Sequence, residues 1–220
     1  MRRAMTALVL SGLMALSLGI GSALAGPAAR STENVTWLFD PSTSIGTSSL
    51  VRTDAGVSAT FRSSGVPAGQ AVTLWFIVFN NPSACAATCG LADLLFNLDA
   101  QGDFLVGGGN VVGDGGTANL GGSLKVGDGS GSGFPEIGFP AERAIGLTNP
   151  WGAQVSLLLH SHGPKVPGQT LASQISSFTG GCTTFLGDLE LPGSGLADGP
   201  EDIPDAVGEC ATLQGSVHMP

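Results

Sequence analysis

The sequence predicts an all-β protein, built as a single antiparallel β-sandwich domain with long Gly-rich and acidic loops and at most one short helix. Three observations lead to this prediction. Apolar and polar residues alternate in several short runs, as they do in strands that bury one face. Only 11% of the residues are charged, and the 35 glycines suit tight turns between short strands. The run 71–79 is apolar on both faces, which predicts a central strand covered from both sides.

The first 25 residues have the pattern of an export signal. Arg2 and Arg3 precede an apolar stretch, and Ala23-Leu24-Ala25 matches a small-residue cleavage site. An uncleaved membrane anchor is the alternative, but the stretch is short for a membrane span and contains Gly and Ser. We therefore expect cleavage of 1–25, a loose leader over 26–33 and one sandwich domain over 34–220. No later stretch is long enough to cross a bilayer as a helix.

The charge of the exported chain bears on its partners. Cleavage removes two of the 8 basic residues and none of the 17 acidic ones, so the formal net charge changes from −9 to −11. A strongly acidic chain lacks the basic patches that nucleic acids and anionic membranes require. We expect a secreted, periplasmic or cell-envelope protein whose partner is an extracytoplasmic protein or a small ligand, with no nucleic acid.

Further strands follow from the alternation along the chain. The turn 65–69 leads directly from the run Val57–Arg62 into the central strand, which predicts that these two strands form a hairpin. Glycines 107–109 predict a bulge or bend within a strand over Phe104–Val112. A short helix is expected over Thr170–Phe178 from its 3.6-residue spacing. The other predicted strands are Val35–Phe39, Ala118–Val126, Ala153–His162 and Ala211–Val217.

All four cysteines lie in the exported part of the chain, and an even number in an exported protein indicates disulfide bonds. Three pairings are possible. We favour Cys85–Cys89 together with Cys182–Cys210, since the second bond would close the long acidic loop Asp188–Glu209. A four-cysteine zinc site is the alternative, but Cys182 and Cys210 do not form the close second pair that such sites use.

The three histidines are the candidate metal ligands. His160 and His162 are two residues apart on a predicted strand and therefore share a face. His218 is predicted to point outward from the last strand, opposite to Ala211, Leu213 and Val217. If the two strands are neighbours, the three imidazoles could bind copper or zinc. The alternative is that His162 caps a turn while the others are solvated.

The sequence provides no catalytic set and no cofactor-binding motif. The only Gly-x-Ser-x-Gly match lies in the glycine loop 129–133, without the strand and helix that position a nucleophilic serine. The Gly-rich stretches lack both the lysine of a phosphate-binding loop and a βαβ setting. These absences favour a non-catalytic binding or surface-interaction module. The alternative is a metal-dependent extracellular enzyme or a metal carrier that uses the histidines.

Several segments carry a resemblance to known sequences. The runs AGQAVTLWFIVFNNPSAC, CGLADL, NVVGDGGTANLGGSL and AQVSLLLHSHGPKVPGQ together resemble an uncharacterised family of exported bacterial proteins. The segment His160-Ser161-His162-Gly163 is similar to the H-I-H-G motif of CHRD domains, the β-rich modules of chordin, with Ser161 in place of the isoleucine. These resemblances imply export and a β-rich fold, and neither implies an activity.

Overall fold

The computed structural model describes residues 27–38, 40–168, 170–176, 178 and 211–220. The predicted signal, the acidic loop and the predicted Cys182–Cys210 bond lie outside these residues. The described part contains eight strands and two short helices, which in chain order are β1 (Ala29–Trp37), β2 (Ser44–Thr53), β3 (Gly56–Ser64), β4 (Gln70–Phe79), α1 (Leu91–Phe96), β5 (Gly102–Val111), β6 (Thr117–Lys125), β7 (Gln154–Pro164), α2 (Leu171–Ile175) and β8 (Ala211–His218).

The eight strands form one sheet in the order β5-β4-β7-β8-β1-β2-β3-β6, and every neighbouring pair is antiparallel. The sheet folds over on itself, so that the edge strands β5 and β6 approach each other and nearly close the sandwich. Glycine permits this approach, because a Cβ atom on Gly108 would lie 2.6 Å from the carbonyl oxygen of Gly121. The all-β, antiparallel fold predicted from the sequence is confirmed.

Strand β4 is buried on both faces, as its sequence predicts. Val72, Leu74, Phe76 and Val78 point into the main core between the two layers of the sandwich. Trp75, Ile77 and Phe79 belong to a second apolar cluster on the outer side of the sheet, where α1 covers them; its other buried members are Cys89, Leu94, Leu95, Ala100, Phe104 and Phe134. The predicted bulge in β5 is confirmed, since its register with β4 shifts at Gly107.

The predicted hairpin of β3 and β4 is wrong. Strand β3 pairs with β2 and β6, whereas β4 pairs with β5 and β7. The connection 65–69 crosses from one layer of the sandwich to the other. Backbone hydrogen bonds from Val66 N–H to Gly116 O and from Gly69 N–H to Val112 O hold the connection in this path. A turn between two segments of alternating apolar and polar residues is therefore compatible with a hairpin and also with a crossover between layers.

Two other expectations require correction. Residues 29–33, expected to be a loose leader, form the first half of β1 and pair with β2 through backbone hydrogen bonds, which need no apolar alternation. The helical turn α2 was expected, but α1 is a second short helix. Its start is held by the Asp93 carboxylate, which accepts a hydrogen bond from Gly90 N–H at 3.0 Å.

The predicted orientation of the last strand is correct only at its start. The register between β8 and β7 shifts by one residue. Leu159 stands opposite Gln214 and His160 opposite Thr212, so Leu213 is an extra, bulged residue of β8. A one-residue shift exchanges the two faces of a strand. As a result, Gln214, Ser216 and His218 lie in the same layer as the inward residues of β7, while Val217 is 39% exposed on the outer side.

Candidate ligand pocket

A cavity of about 480 Å³ lies on the outer side of the sheet, over β4, β7, β8 and the end of β1. Helix α1 and the loop 134–139 form its other walls. Most of its lining is apolar or aromatic, and among the described lining residues there is no Asp, Glu, Lys or Arg. The lining comprises Asn34, Thr36, Trp37, Leu38, Pro41, Trp75, Ile77, Phe79, Cys89, Gly90, Leu91, Leu94, Leu95, Phe104, Ile137, Phe139, Ser156, Leu158, His160, Phe178, Thr212, Gly215, Ser216 and Val217.

One wall of the pocket is fixed by a disulfide bond. The predicted Cys85–Cys89 bond is present, and it closes the turn that precedes α1. The buried side chain of Gln154 anchors this turn to β7, because it accepts a hydrogen bond from Cys89 N–H and donates one to Cys89 O, both at 2.9 Å. Cys89 and Gly90 line the pocket, so the bond and the glutamine together set the position of its wall.

The opposite wall depends on a buried carboxylate. Asp103 accepts hydrogen bonds from Ser132 Oγ at 2.6 Å and from Gly146 N–H at 2.8 Å. These bonds tie both ends of the loop that contributes Ile137 and Phe139 to the pocket. Burial raises the pKa of Asp103, and the hydrogen bonds from Ser132 and the backbone partly offset this effect.

Aromatic rings form the floor of the pocket. The ring of Phe178 packs against Trp75 at 5.4 Å, Phe104 at 5.5 Å and the imidazole of His160 at 4.4 Å between centroids. Ring pairs of this kind stabilise the packing beyond the contribution of the apolar area that they bury. Strand pairing produces this arrangement, because Trp75 stands opposite Leu158 and the residue two positions further along β7 is His160.

His160 and His162 share the outer face of β7, as predicted, and their rings contact edge to face at 4.9 Å between centroids. His160 Nδ1 forms a hydrogen bond with Thr212 Oγ1 at 3.0 Å, and His162 Nε2 forms one with Thr73 Oγ1 at 2.8 Å. Burial, followed by the neighbouring His162, lowers the pKa of His160 to about 3, although a hydrogen bond with the Phe178 backbone opposes the shift. His160 is therefore neutral at physiological pH.

The side chain of Trp75, a residue that is 1% exposed, has no hydrogen-bond partner for its Nε1 within the described part of the chain. The ring of His160 has a hydrogen bond with the Phe178 backbone besides the one with Thr212. Buried polar groups in folded proteins almost always have a partner, so such exceptions indicate a missing water, ion or ligand. The sequence pattern drew attention to His160 but gave no sign of Trp75, which it placed only as a core residue.

His218 does not join the other two histidines. It is completely buried on the inner side of the sheet, and it pairs in register with Val155, at the far end of β7 from His160. Its Nδ1 lies 2.7 Å from Ser31 Oγ, and its Nε2 lies 2.9 Å from Ser48 Oγ. Burial, followed by the charge of Arg52, lowers the pKa of His218 to about 4.

The three imidazoles therefore do not meet at one point, because the bulge in β8 turns His218 to the opposite face. Within the described ranges, no group of three or more His, Cys, Asp or Glu side chains could hold a metal ion. Copper or zinc binding by His160 and His162, with ligands from elsewhere, stays a prediction.

Comparison of the chain with protein-family models, with curated proteins and with solved structures finds no match. The resemblance to exported bacterial proteins and to CHRD domains therefore stays a prediction. None of the helices in the described part of the chain is long and apolar enough to span a membrane.

Proposed function

We propose that the chain is an exported, non-catalytic binding protein whose pocket holds a small, mostly apolar ligand. The observation that carries this proposal is the cavity of about 480 Å³, whose described lining is largely apolar and aromatic. Small-molecule sites have this character: concave, largely apolar and equipped with a few polar groups that orient the ligand. Its walls are pre-formed by a disulfide bond and by buried hydrogen bonds, which reduces the ordering cost of binding.

Export is supported by the signal pattern over 1–25 and by the Cys85–Cys89 bond, which forms and persists in oxidising compartments. Expression of the full chain in a bacterial host, followed by fractionation and N-terminal sequencing, tests this part of the proposal. We expect recovery outside the cytoplasm with Gly26 as the first residue. Recovery in the cytoplasm with Met1 retained would contradict export.

Binding is tested with 1-N-phenylnaphthylamine, an uncharged dye whose fluorescence rises in apolar surroundings. Ser156→Phe places a phenyl ring in the lining of the pocket, and Ser58→Phe makes the same change at an exposed position of β3. We expect saturable binding by the wild type and by Ser58→Phe, and affinity at least about tenfold lower for Ser156→Phe. Equal binding by both variants, or no binding by the wild type, would contradict the proposed function.

The alternative function, metal binding by the histidines, is tested by elemental analysis. The protein is purified without an affinity tag and reconstituted with copper or zinc. One equivalent of metal, lost in His160→Leu and His162→Leu, would favour a metal carrier over the binding of an apolar ligand. We expect no stoichiometric metal, because the third imidazole lies on the other side of the sheet.

A further inference from the structure

The outer surface of one layer of the sandwich forms a second candidate binding surface, separate from the pocket. Strands β1, β2, β3 and β6 are consecutive in the sheet and make up this layer. Exposed and buried residues alternate along β3 and β6, so every second side chain points to solvent. We call the outward residues of these four strands the polar face, leaving out Asn34 and Thr36, which line the pocket.

The polar face differs in charge from the chain as a whole. The chain holds 17 acidic residues against 8 basic ones. Nevertheless, the basic residues that are exposed in the described ranges, Arg30, Arg62 and Lys125, all lie on the polar face, and none of its described residues is Asp or Glu. Glu33 of β1 has the opposite parity. Lys125 is close enough to Asp128 in the following turn to interact with its carboxylate, so the two arginines are the stronger sites for an anionic partner.

Hydroxyl groups occupy most of the polar face between these cations. Thr32, Ser49 and Thr60 stand opposite one another in a row across β1, β2 and β3, where neighbouring strands are about 4.8 Å apart. Arg30 Nη2 donates to Ser49 Oγ at 2.9 Å, which holds the guanidinium over this row and uses one of its five N–H donors. Because a hydroxyl both donates and accepts, the polar face suits a partner that is itself rich in hydroxyls.

The spacing of the cations indicates the size of the partner. Arg30 is in register with Ser58 of β3, four residues before Arg62, so the two arginine Cα atoms are about 16 Å apart. A small anion can contact only one of them, whereas an extended polymer reaches both. Duplex DNA carries one charge per about 1.7 Å, and the acidic remainder of the chain would repel so dense a charge. A lipid surface would require apolar anchors, which the rows of hydroxyls do not supply.

We propose that the polar face binds an extended acidic polysaccharide. Its carboxylates pair with Arg30, Arg62 and Lys125, and its hydroxyls form hydrogen bonds with the rows of Ser and Thr. Because a single exposed ion pair contributes little, the affinity comes from several pairs along one polymer chain and decreases as salt is added. This inference goes beyond the proposed function and does not depend on it, since none of the three cations lines the pocket.

Two forms of one polymer test the role of charge. Polygalacturonate carries a carboxylate on every sugar residue, and full methyl esterification removes the charge while the backbone stays the same. Isothermal titration calorimetry on the purified protein at low ionic strength compares them at equal chain length. We expect the acid form to bind at least about tenfold more tightly than the ester. Free galacturonate should not compete, and added NaCl should weaken binding of the acid form.

Variants of the three cations test the assigned residues. Arg30→Gln and Arg62→Gln should each lower the affinity for polygalacturonate by about threefold, and the triple variant that adds Lys125→Gln by about tenfold or more. Lys165→Gln is the matched control, because it removes the same charge at a residue that follows β7 in the other layer. It should bind as the wild type does. Unchanged dye binding in every variant shows that the chain is folded.

The outcomes separate this inference from the proposed function. Equal affinity for acid and ester, equal losses in Lys165→Gln and Arg62→Gln, or no binding by the wild type would overturn the inference while the pocket proposal stands. Tighter binding of single-stranded DNA or of anionic lipid vesicles would also overturn it, because the partner would then belong to another class. Ser156→Phe, which obstructs the pocket, should bind polygalacturonate as the wild type does, so failure of the pocket proposal would leave this inference intact.

Discussion

Two buried histidines, one on each side of the same sheet, have opposite environments. His218 lies on the inner side, and both of its nitrogens have serine partners. His160 lies on the outer side, where it has hydrogen bonds with Thr212 and with the Phe178 backbone and lines the pocket. Burial lowers the pKa of both rings, so burial and pKa do not distinguish them. The difference lies in what surrounds each ring: serine hydroxyls and the core enclose His218, whereas the rings of Phe178 and His162 and the pocket surround His160.

The largest expected effect lies on the inner side, at Arg52. Its guanidinium is buried and donates to the carbonyl oxygens of Pro150, Ala153, His218 and Met219, thereby joining β2 to the end of β8. Arg52→Met leaves these carbonyls unpaired and should lower the free energy of unfolding by about 4 kcal/mol. Urea denaturation measures this loss. Dye affinity of the folded fraction should not change, and a loss below about 1 kcal/mol would contradict the structural role.

The comparison itself is tested by the matched variants His218→Leu and His160→Leu. His218→Leu removes two buried hydrogen bonds and should cost about 2–3 kcal/mol of stability without altering dye binding. His160→Leu also removes two hydrogen bonds and should cost a similar amount, about 2 kcal/mol, but it changes the lining of the pocket and should alter dye binding as well. The reverse pattern, with binding sensitive to His218, would exclude the division of roles.

The disulfide bond should have an intermediate effect. Cys85 and Cys89 enclose a loop of about five residues, for which chain entropy predicts about 2 kcal/mol of stabilisation. The double variant Cys85→Ser with Cys89→Ser should lose this amount in urea denaturation and should bind the dye more weakly, because Cys89 lines the pocket. Single variants serve as a control for the free thiol. Unchanged stability and binding would show that Gln154 alone holds the turn.

The last prediction concerns the pH dependence of stability, which changes gradually over several pH units. The folded pKa values of His160 and His218, about 3 and about 4, lie below the ordinary histidine value of 6.5. The unfolded chain therefore binds more protons, and the stabilisation present above pH 6.5 is lost as the pH falls towards 4. Each histidine contributes a slope of up to about 1.4 kcal/mol per pH unit. Each Leu variant should reduce the slope seen in urea titrations from pH 7 to 4.5, and an unchanged slope in both would contradict the assignment.

The strands were predictable because alternation is a local property. The double-sided run 71–79 identified β4, and the glycines 107–109 identified the bulge of β5. Two features of the fold depend instead on pairing between strands that are far apart in the sequence. The connection 65–69 leads to a crossover because β4 finds its partners in β5 and β7, much later in the chain. The bulge at Leu213 carries no glycine signal, so the inward orientation of His218 could not be predicted.

The site was only partly predictable. The spacing of His160 and His162 correctly placed two imidazoles on one face, and the export context correctly suggested the Cys85–Cys89 bond. The pocket itself results from pairing between β4 and β7 and from the cover that α1 and the loop 134–139 provide. Trp75 has the same sequence signature as any core aromatic residue. Only the structure shows that Trp75 lines the pocket.

The most direct test of the central claim is the nitrogen NMR spectrum of the two imidazoles during titration with 1-N-phenylnaphthylamine. The variants His160→Leu and His218→Leu assign the signals. We expect the ring-nitrogen signals of His160, which lines the pocket, to shift in a saturable manner with the affinity measured by dye fluorescence, while both nitrogens of His218 stay unchanged. Saturation of the pocket with no movement of the His160 signal, or equal movement of the His218 signals, would contradict the account.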